Sequence, residues 1–361
     1  MLHAIVAFVG TLCLIVLLRK RAYGFGLVDS PSPRKTHNGE IPVIGGLAIG
    51  ISFLLASLTL YPVEKDLLPL ISCCLVILLT GLFDDMREFS ARSKFIGQIV
   101  AAVLMTSWAN LYLTDLGDLW GTGDIVPGNW GIPFTLFCVI GLINAMNMID
   151  GLDGLAGGIS AIAAVWLGVA ALIVHPFKDA TLLFILAAAV AGFLVFNLRH
   201  SRRQHASVFL GDAGSMFLGF VLVWFAVDVT QGARSNFYPI SAVWVLGVPI
   251  IDTVYLMLRR IILSRNPFAP DRRHIHHTLI FMGLSEVDTL WLLLGISALF
   301  GAVGYFGWYL KVPEYVLAYG FLATFAAHCV FMQYWKDIFA FLRIRHKRVQ
   351  ARMRSGGMVK H

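Results

Sequence analysis

Residues 131–154 read Gly-Ile-Pro-Phe-Thr-Leu-Phe-Cys-Val-Ile-Gly-Leu-Ile-Asn144-Ala-Met-Asn147-Met-Ile-Asp150-Gly-Leu-Asp153-Gly. Up to Ile149 the stretch is uncharged and apolar, close to the ~20 residues that carry a helix across a bilayer core. Its far end holds two amides and then two carboxylates. At about 100° per residue, Asn144, Asn147 and Asp150 share an arc of roughly 120° where the helix leaves hydrocarbon. That end is the negative pole of the helix, unfavourable for carboxylates without a compensating cation. Magnesium, which prefers oxygen ligands, would supply the charge. Gly151 and Gly154 break the helix and let backbone approach a ligand. Capping of the next helix would account for Asp153 alone.

The rest of the chain has the same character. Of its 361 residues 58% are apolar and 14% charged, against about 25% charged in a soluble domain. Too few charges remain to cover a water-facing surface, so lipid must cover most of it. The first apolar run has no basic segment before it and is followed by Arg19-Lys20-Arg21. It reads as a retained helix rather than a cleavable signal. Cys13, Cys73, Cys74, Cys138 and Cys329 all lie in apolar runs without metal-ligand spacing, as small buried residues do.

Scanning for spans predicts about eleven transmembrane helices, near 2–18, 43–62, 67–83, 95–113, 132–149, 155–174, 180–198, 207–227, 239–258, 289–310 and 315–335. Alternate loops then carry 24 of the 28 Lys and Arg; only Lys65, Lys178, Arg234 and Lys311 fall on the other side. The positive-inside rule places the C-terminus in the cytoplasm and the N-terminus in the periplasm. The expected fold is all-α, a polytopic membrane domain over 1–335 with a basic cytoplasmic tail over 336–361. The net charge of +7 sits mostly on one membrane face, where anionic headgroups attract it. It implies membrane lipids, not nucleic acid, as the partner of the tail.

Carboxylates near membrane depth are costly and mark function. Besides the run at 144–154, three clusters fall in the same set of loops. Asp84-Asp85 is followed by Arg87, Arg92 and Lys94; adjacent carboxylates repel unless a cation or proton intervenes, although a solvated loop start would also hold them. Gly211-Asp212-Ala213-Gly214-Ser215 opens a helix, where Asp212 alone could be a cap. Asp271-Arg272-Arg273-His274-Ile275-His276-His277 lies in the longest such loop. Its His-x-His-His spacing lacks the i, i+4 pair or cysteine partner of a zinc site; donors of this kind suit an anion. Deeper in a span lies only Asp252, with Arg259 or Arg260 as candidate partners. Gly45-Gly46 and Gly157-Gly158 are too sparse for phosphate loops and read as helix-packing contacts. Carboxylates and amides for a divalent ion, with basic groups for phosphates, together fit metal-assisted phosphoryl transfer between a soluble nucleotide and a lipid.

These four ordered motifs make the chain resemble, along nearly its full length, the polyprenyl-phosphate N-acetylhexosamine-1-phosphate transferase superfamily (glycosyltransferase family 4). Val28-Asp29-Ser-Pro31-Ser-Pro-Arg34-Lys35-x-His37, Ile41-Pro42-x-x-Gly45-Gly46 and the Pro-Asp-Arg before His274 resemble the undecaprenyl-phosphate N-acetylglucosamine-1-phosphate transferases that begin O-antigen and enterobacterial common antigen synthesis. The phospho-MurNAc-pentapeptide transferases differ in a His-His-His loop and in the lysine after their aspartate pair. The resemblance implies an inner-membrane enzyme that transfers N-acetylglucosamine 1-phosphate from UDP-N-acetylglucosamine to undecaprenyl phosphate, releasing UMP. Other UDP-2-acetamido sugars stay open, as does pairing with a second copy of the chain. It implies Mg2+, with Mn2+ as an alternative, held by Asp212 and Asn147. Asp84, Asp85, Asp150 and Asp153 are then catalytic, and Asn144, Lys94, Arg272, His274, His276 and His277 bind substrate. A phosphate monoester has a second pKa of about 6, so Asp84 and Asp85 are expected to orient or bind metal rather than abstract a proton. Two other classes compete. A transporter would need polar groups reaching both faces; a lipid-phosphate hydrolase would use the same site with water.

Overall fold

The computed structural model describes residues 1–29, 39–60, 67–87, 90–174, 178–199, 205–231, 237–265 and 273–356. Arg272, expected to bind substrate, lies outside them. The described chain is helical. Its helices are α1 (Leu2–Arg19), α2 (Gly45–Leu60), α3 (Leu67–Arg87), α4 (Ala91–Ser107), α5 (Gly131–Ile149), α6 (Leu155–Val174), α7 (Lys178–Asn197), α8 (Gly211–Asp228), α9 (Pro239–Val245), α10 (Gly247–Ile262), α11 (Ile275–Phe281), α12 (Glu286–Tyr309) and α13 (Glu314–Gly356). One small hairpin joins β1 (Val28–Asp29) antiparallel to β2 (Ile41–Pro42).

Each of the eleven expected spans is helical over most of its length. Eight helices among the described residues are long and apolar enough to cross a membrane by themselves, or nine if α9 and α10 form one span. Two expected spans fall short, α2 with 16 residues and α4 with 17. Rather than running over 95–113, α4 covers 91–107. Ser90 starts it early by accepting the Ser93 N–H, and its end is followed by Asn110 at φ 51°, a left-handed conformation that asparagine tolerates. The expected span 239–258 is two helices bent by 84°. Pro249 lacks the N–H that would bond Val245, and its ring crowds that carbonyl, so α9 stops at Val245. The backbone from 336 onward continues α13 to Gly356.

Among the spans α8 is enclosed by protein: every residue from Ala213 to Val227 is buried, with α2, α3, α5 and α6 around it. Small residues permit this closeness, and Gly46 of α2 lies directly against the backbone of Gly214. Gly157 meets Phe193 and Leu194, and Gly158 meets Leu294, as expected of packing glycines. By contrast α1 and α4 expose Ile5, Val9, Leu17, Ile96, Ile99 and Val103, the surface that lipid would cover.

The antiparallel helices bring their connections to two ends. At one, β2 leads into α2 beside the start of α8: Phe209 N–H bonds Pro42 O, and Gly45 and Gly46 N–H bond Phe209 O and Leu210 O. The ends of α3, α5 and α7 and the starts of α4, α11 and α12 join them there through the side-chain contacts below. At the other end Gln231 receives the Thr114 and Asp115 N–H groups, and Gly117 packs on Glu314.

Candidate active site

Four helices deliver side chains to the first end. Lys94, in the first turn of α4, places its ammonium between Asp84 of α3, 2.6 Å from Oδ2, and Asp212 of α8, which it also contacts. Asn147, in the last turn of α5, donates to Asp212 Oδ1 at 2.8 Å and to Ser215 Oγ at 2.9 Å. Asp84 is buried, and among the described residues its Oδ1 has no hydrogen-bond partner.

Adjacent in sequence, Asp84 and Asp85 do different work. The Asp85 carboxylate accepts the Asp212 N–H at 2.7 Å and the Ala213 N–H at 3.0 Å. It caps α8 from another helix, satisfying donors that the helix cannot satisfy itself. The residue at the cap position, Leu210, has no side chain able to do so. Gly211 is left-handed at φ 75° and packs on Val43 and Asp85, which makes room for this carboxylate. Capping by Asp85 leaves the Asp212 carboxylate to Lys94 and Asn147, so Asp212 is more than a cap.

The run at 144–154 divides in the same way. Asn147 reaches the carboxylates. Asn144, one turn back, donates instead to Gln98 Oε1 and Ile140 O, both at 2.8 Å, and ties α5 to α4. Asp150 ends α5 part-buried and, among the described residues, without a hydrogen bond. Burial, then the charges of Asp212, Asp153 and Asp85, push its carboxyl well above the usual range. Asp153 accepts Arg199 Nε at 2.7 Å and the Ala206 N–H at 3.0 Å; Arg199 also pairs with Glu286 of α12. This network, with the Gly154 N–H on Asn197 Oδ1 at 2.6 Å, pins the loop to the ends of α7 and α12.

The histidine loop arrives from the far part of the chain. A Cβ on Gly151 would lie 2.9 Å from His276 Cε1 and closer to Nε2, so glycine is needed for the contact, and the group it admits is this imidazole. His276 is 1% exposed, and among the described residues neither of its ring nitrogens has a hydrogen-bond partner. Burial, then the charges of His277 and His274, hold its pKa well below the usual histidine range. The three rings lie together, with centroids 5.6 Å apart for His274–His276 and 4.2 Å for His276–His277. Deep in α10, Asp252 accepts His274 Nδ1–H at 2.7 Å and the Ile275 N–H at 2.9 Å. Gln98, Asn197, Arg199 and Glu286 were not singled out in the sequence. Gln98 stood out only as one amide inside an apolar run, and the others as ordinary helix-end residues.

The donors at this end suit a hard divalent ion. They are oxygens, Asp84 Oδ1 is buried without a partner among the described residues, and the Lys94 ammonium already stands as a cation between two carboxylates. Among the described residues no three His, Cys, Asp or Glu side chains converge tightly enough to hold a metal by themselves. Substrate phosphates and water would complete the shell, the usual arrangement for magnesium. A cavity of about 530 Å³ lined by Asp115, Asp124, Tyr238, Lys311 and Glu314 opens at the other end and takes no part in this arrangement.

Fold and site together define a multi-span helical membrane protein with a polar end where Asp84, Lys94, Asn147 and Asp212 meet. The family described as glycosyl transferase family 4 matches residues 67–230, which include Asp84, Lys94, Asn147 and Asp212. The chain is 36% identical over 352 residues to the undecaprenyl-phosphate alpha-N-acetylglucosaminyl 1-phosphate transferase of Salmonella typhi, covering 96% of this chain and 94% of that protein. Its namesake in Escherichia coli K12 is 34% identical with the same coverage. The one in Haemophilus influenzae is 33% identical over 90% of this chain and 92% of its own. This chain belongs to glycosyl transferase family 4.

Proposed function

We propose that this protein transfers N-acetylglucosamine 1-phosphate from UDP-N-acetylglucosamine to undecaprenyl phosphate, releasing UMP, at the cytoplasmic face of a bacterial inner membrane. The observation that carries the reading is the meeting of Asp84, Lys94, Asn147 and Asp212 at the end that also receives the histidine loop. The relatives' shared name supplies the reactants. The 24-to-4 partition of basic residues supports eleven crossings, with the N-terminus outside and this end in the cytoplasm.

The lipid phosphate is largely a dianion at neutral pH and needs no base. Its oxygen attacks the β-phosphorus of the UDP-sugar; the bond from that phosphorus to the bridging oxygen breaks, and UMP leaves with the electron pair. Such chemistry is mainly positioning and charge stabilisation. Asp85 holds the first turn of α8 and so the direction of Asp212. Lys94 offsets one of the two charges of Asp84 and Asp212, which lessens the repulsion of phosphate by a doubly acidic pocket. His276, set against Gly151, and the neighbouring rings of His274 and His277 are the donors for the pyrophosphate. Magnesium, held through Asp212 with Asn147 and Asp84 as further oxygen donors, would supply neutralisation of phosphate charge when bound.

The test is a membrane assay with radiolabelled UDP-sugars, with and without added undecaprenyl phosphate. Label is expected to enter lipid only from UDP-N-acetylglucosamine, with UMP released in proportion. UMP release that does not depend on the lipid would identify a hydrolase instead, and label from a different UDP-sugar would reassign the substrate.

A further inference from the structure

We propose that Asp252 is a positioning residue for the transfer: a buried clamp that fixes the histidine loop against the acidic loop, braced by the last helix. The inference rests on the reaction proposed above only for its kinetic consequence, since the clamp itself is a matter of geometry.

Asp252 lies in α10 beyond the bend at Pro249 and is 1% exposed. A lone carboxylate so placed is expensive unless its oxygens are satisfied. Here each oxygen is spent on the same short segment. Oδ2 takes His274 Nδ1–H, which orients that ring, and Oδ1 takes the Ile275 N–H, the first free donor of α11. His274, at the cap position of α11, makes no side-chain cap of its own. Asp252 therefore does from another helix what a local cap would do, and sets ring and helix together. From α13, His328 Nε2 stands 3.8 Å from Oδ1, and its ring lies edge-on to Tyr255, 5.4 Å away. The final helix thus closes the pocket around the carboxylate.

The consequence reaches the site through one contact. His274 stacks on His276, and His276 rests on Gly151 beside Asp150. A loop pinned at 274–275 holds His276 there, whereas a loop released at that point lets both rings move. The bend in α10 is then useful, because it turns a helix crossing the bundle so that its carboxylate meets a loop arriving from the same end.

Asp252→Asn keeps the shape but replaces a charged acceptor by an amide, which can accept the Ile275 N–H and bond His274 Nδ1 only by forcing that ring into its other tautomer. Hydrogen exchange of the peptide spanning 273–281 reads the clamp without reference to any reaction. It is expected to quicken at least about tenfold in Asp252→Asn and to recover partly in Asp252→Glu, while exchange in α6 and α8 stays unchanged. Unchanged exchange at 273–281 overturns the proposal, as does quickening throughout the bundle. In the assay above, Asp252→Asn is expected to lose roughly ten- to a hundredfold in kcat/KM for the nucleotide sugar, the scale of misplacing a binding group by about an ångström. The double variant Asp252→Asn/His274→Ala should lose no more than His274→Ala alone, because the two act as one unit. Losses that add would mean that Asp252 acts by another route. If the wild-type protein itself transfers nothing from UDP-N-acetylglucosamine, the proposed reaction fails, and the exchange result still decides the clamp.

Discussion

At the scale of the residue, the chemistry is a balance of charges that burial makes costly. Asp84 and Asp212 face each other and are held by Lys94. Asp212→Asn should keep the hydrogen bond from Asn147 or its mirror and leave the fold intact, with thermal unfolding within about 3 °C of wild type, roughly 2 kcal/mol for a chain of this size. Transfer should nevertheless fall by at least about a thousandfold, near 4 kcal/mol of transition-state stabilisation; near-normal rates at saturating magnesium would remove Asp212 from the site. The loop carboxylate and the buried imidazole make opposite pH statements. Folding raises the pKa of Asp150. Its contribution to stability is therefore complete below the unfolded value of about 3.9 and is lost as pH rises through the raised one. Where Asp150 is ionised it is a cost that a bound cation offsets, so the rise in melting temperature caused by magnesium should grow as pH rises through the raised value. An increment independent of pH would detach Asp150 from the ion. Folding lowers the pKa of His276, so its stabilising effect is full above about 6.5 and is lost as pH falls through the depressed value. The stability difference between wild type and His276→Gln should shrink accordingly below that pH.

At the scale of the element, glycine decides which groups meet. Gly151 lies against the His276 ring, and a methyl group there must displace it. Overpacking of this kind costs about 1–3 kcal/mol, and the ring is the side chain that would move. Gly151→Ala is expected to reduce kcat/KM for the nucleotide sugar with only a small drop in melting temperature. Gly141→Ala, in α5 with nothing within 4 Å, should change neither; wild-type kinetics for Gly151→Ala would show that the contact carries no function. The bend at Pro249 is another decision at this scale. Periodicity over 239–258 reads as one span, yet a proline two residues after a glycine ends the first helix and redirects the second by 84°.

At the scale of the whole molecule, the order of the helices sorts the loops into two ends; Asp84, Asp150 and Asp212 share one of them with the histidine loop, and Asp115, Asp124 and Glu314 line a cavity at the other. Impermeant thiol labelling in intact cells checks the orientation. A cysteine at Thr122, exposed at the far end, should react, and one at His205, exposed at the site end, should not. His276, although in the most telling loop, is buried and would be a poor reporter. Reaction at 205 from outside would invert the topology and move the site to the wrong face for a cytoplasmic nucleotide.

Read alone, the sequence was enough to establish a helical membrane protein, because uncharged runs near the bilayer thickness have few other stable outcomes. It also marked the polar groups that belong together, since carboxylates such as Asp84, Asp150 and Asp212 are too costly at membrane depth to be incidental. What it could not assign was the work of each one. Asp85 turned out to cap α8, Asn144 to join Gln98, Asp153 to pair with Arg199, and Asp252 to hold His274. These partners lie 22 to 127 positions apart in the chain. A hydrogen bond depends on ångströms in space that no local pattern encodes, so only the packed bundle decides which acid is free for substrate and which is already occupied.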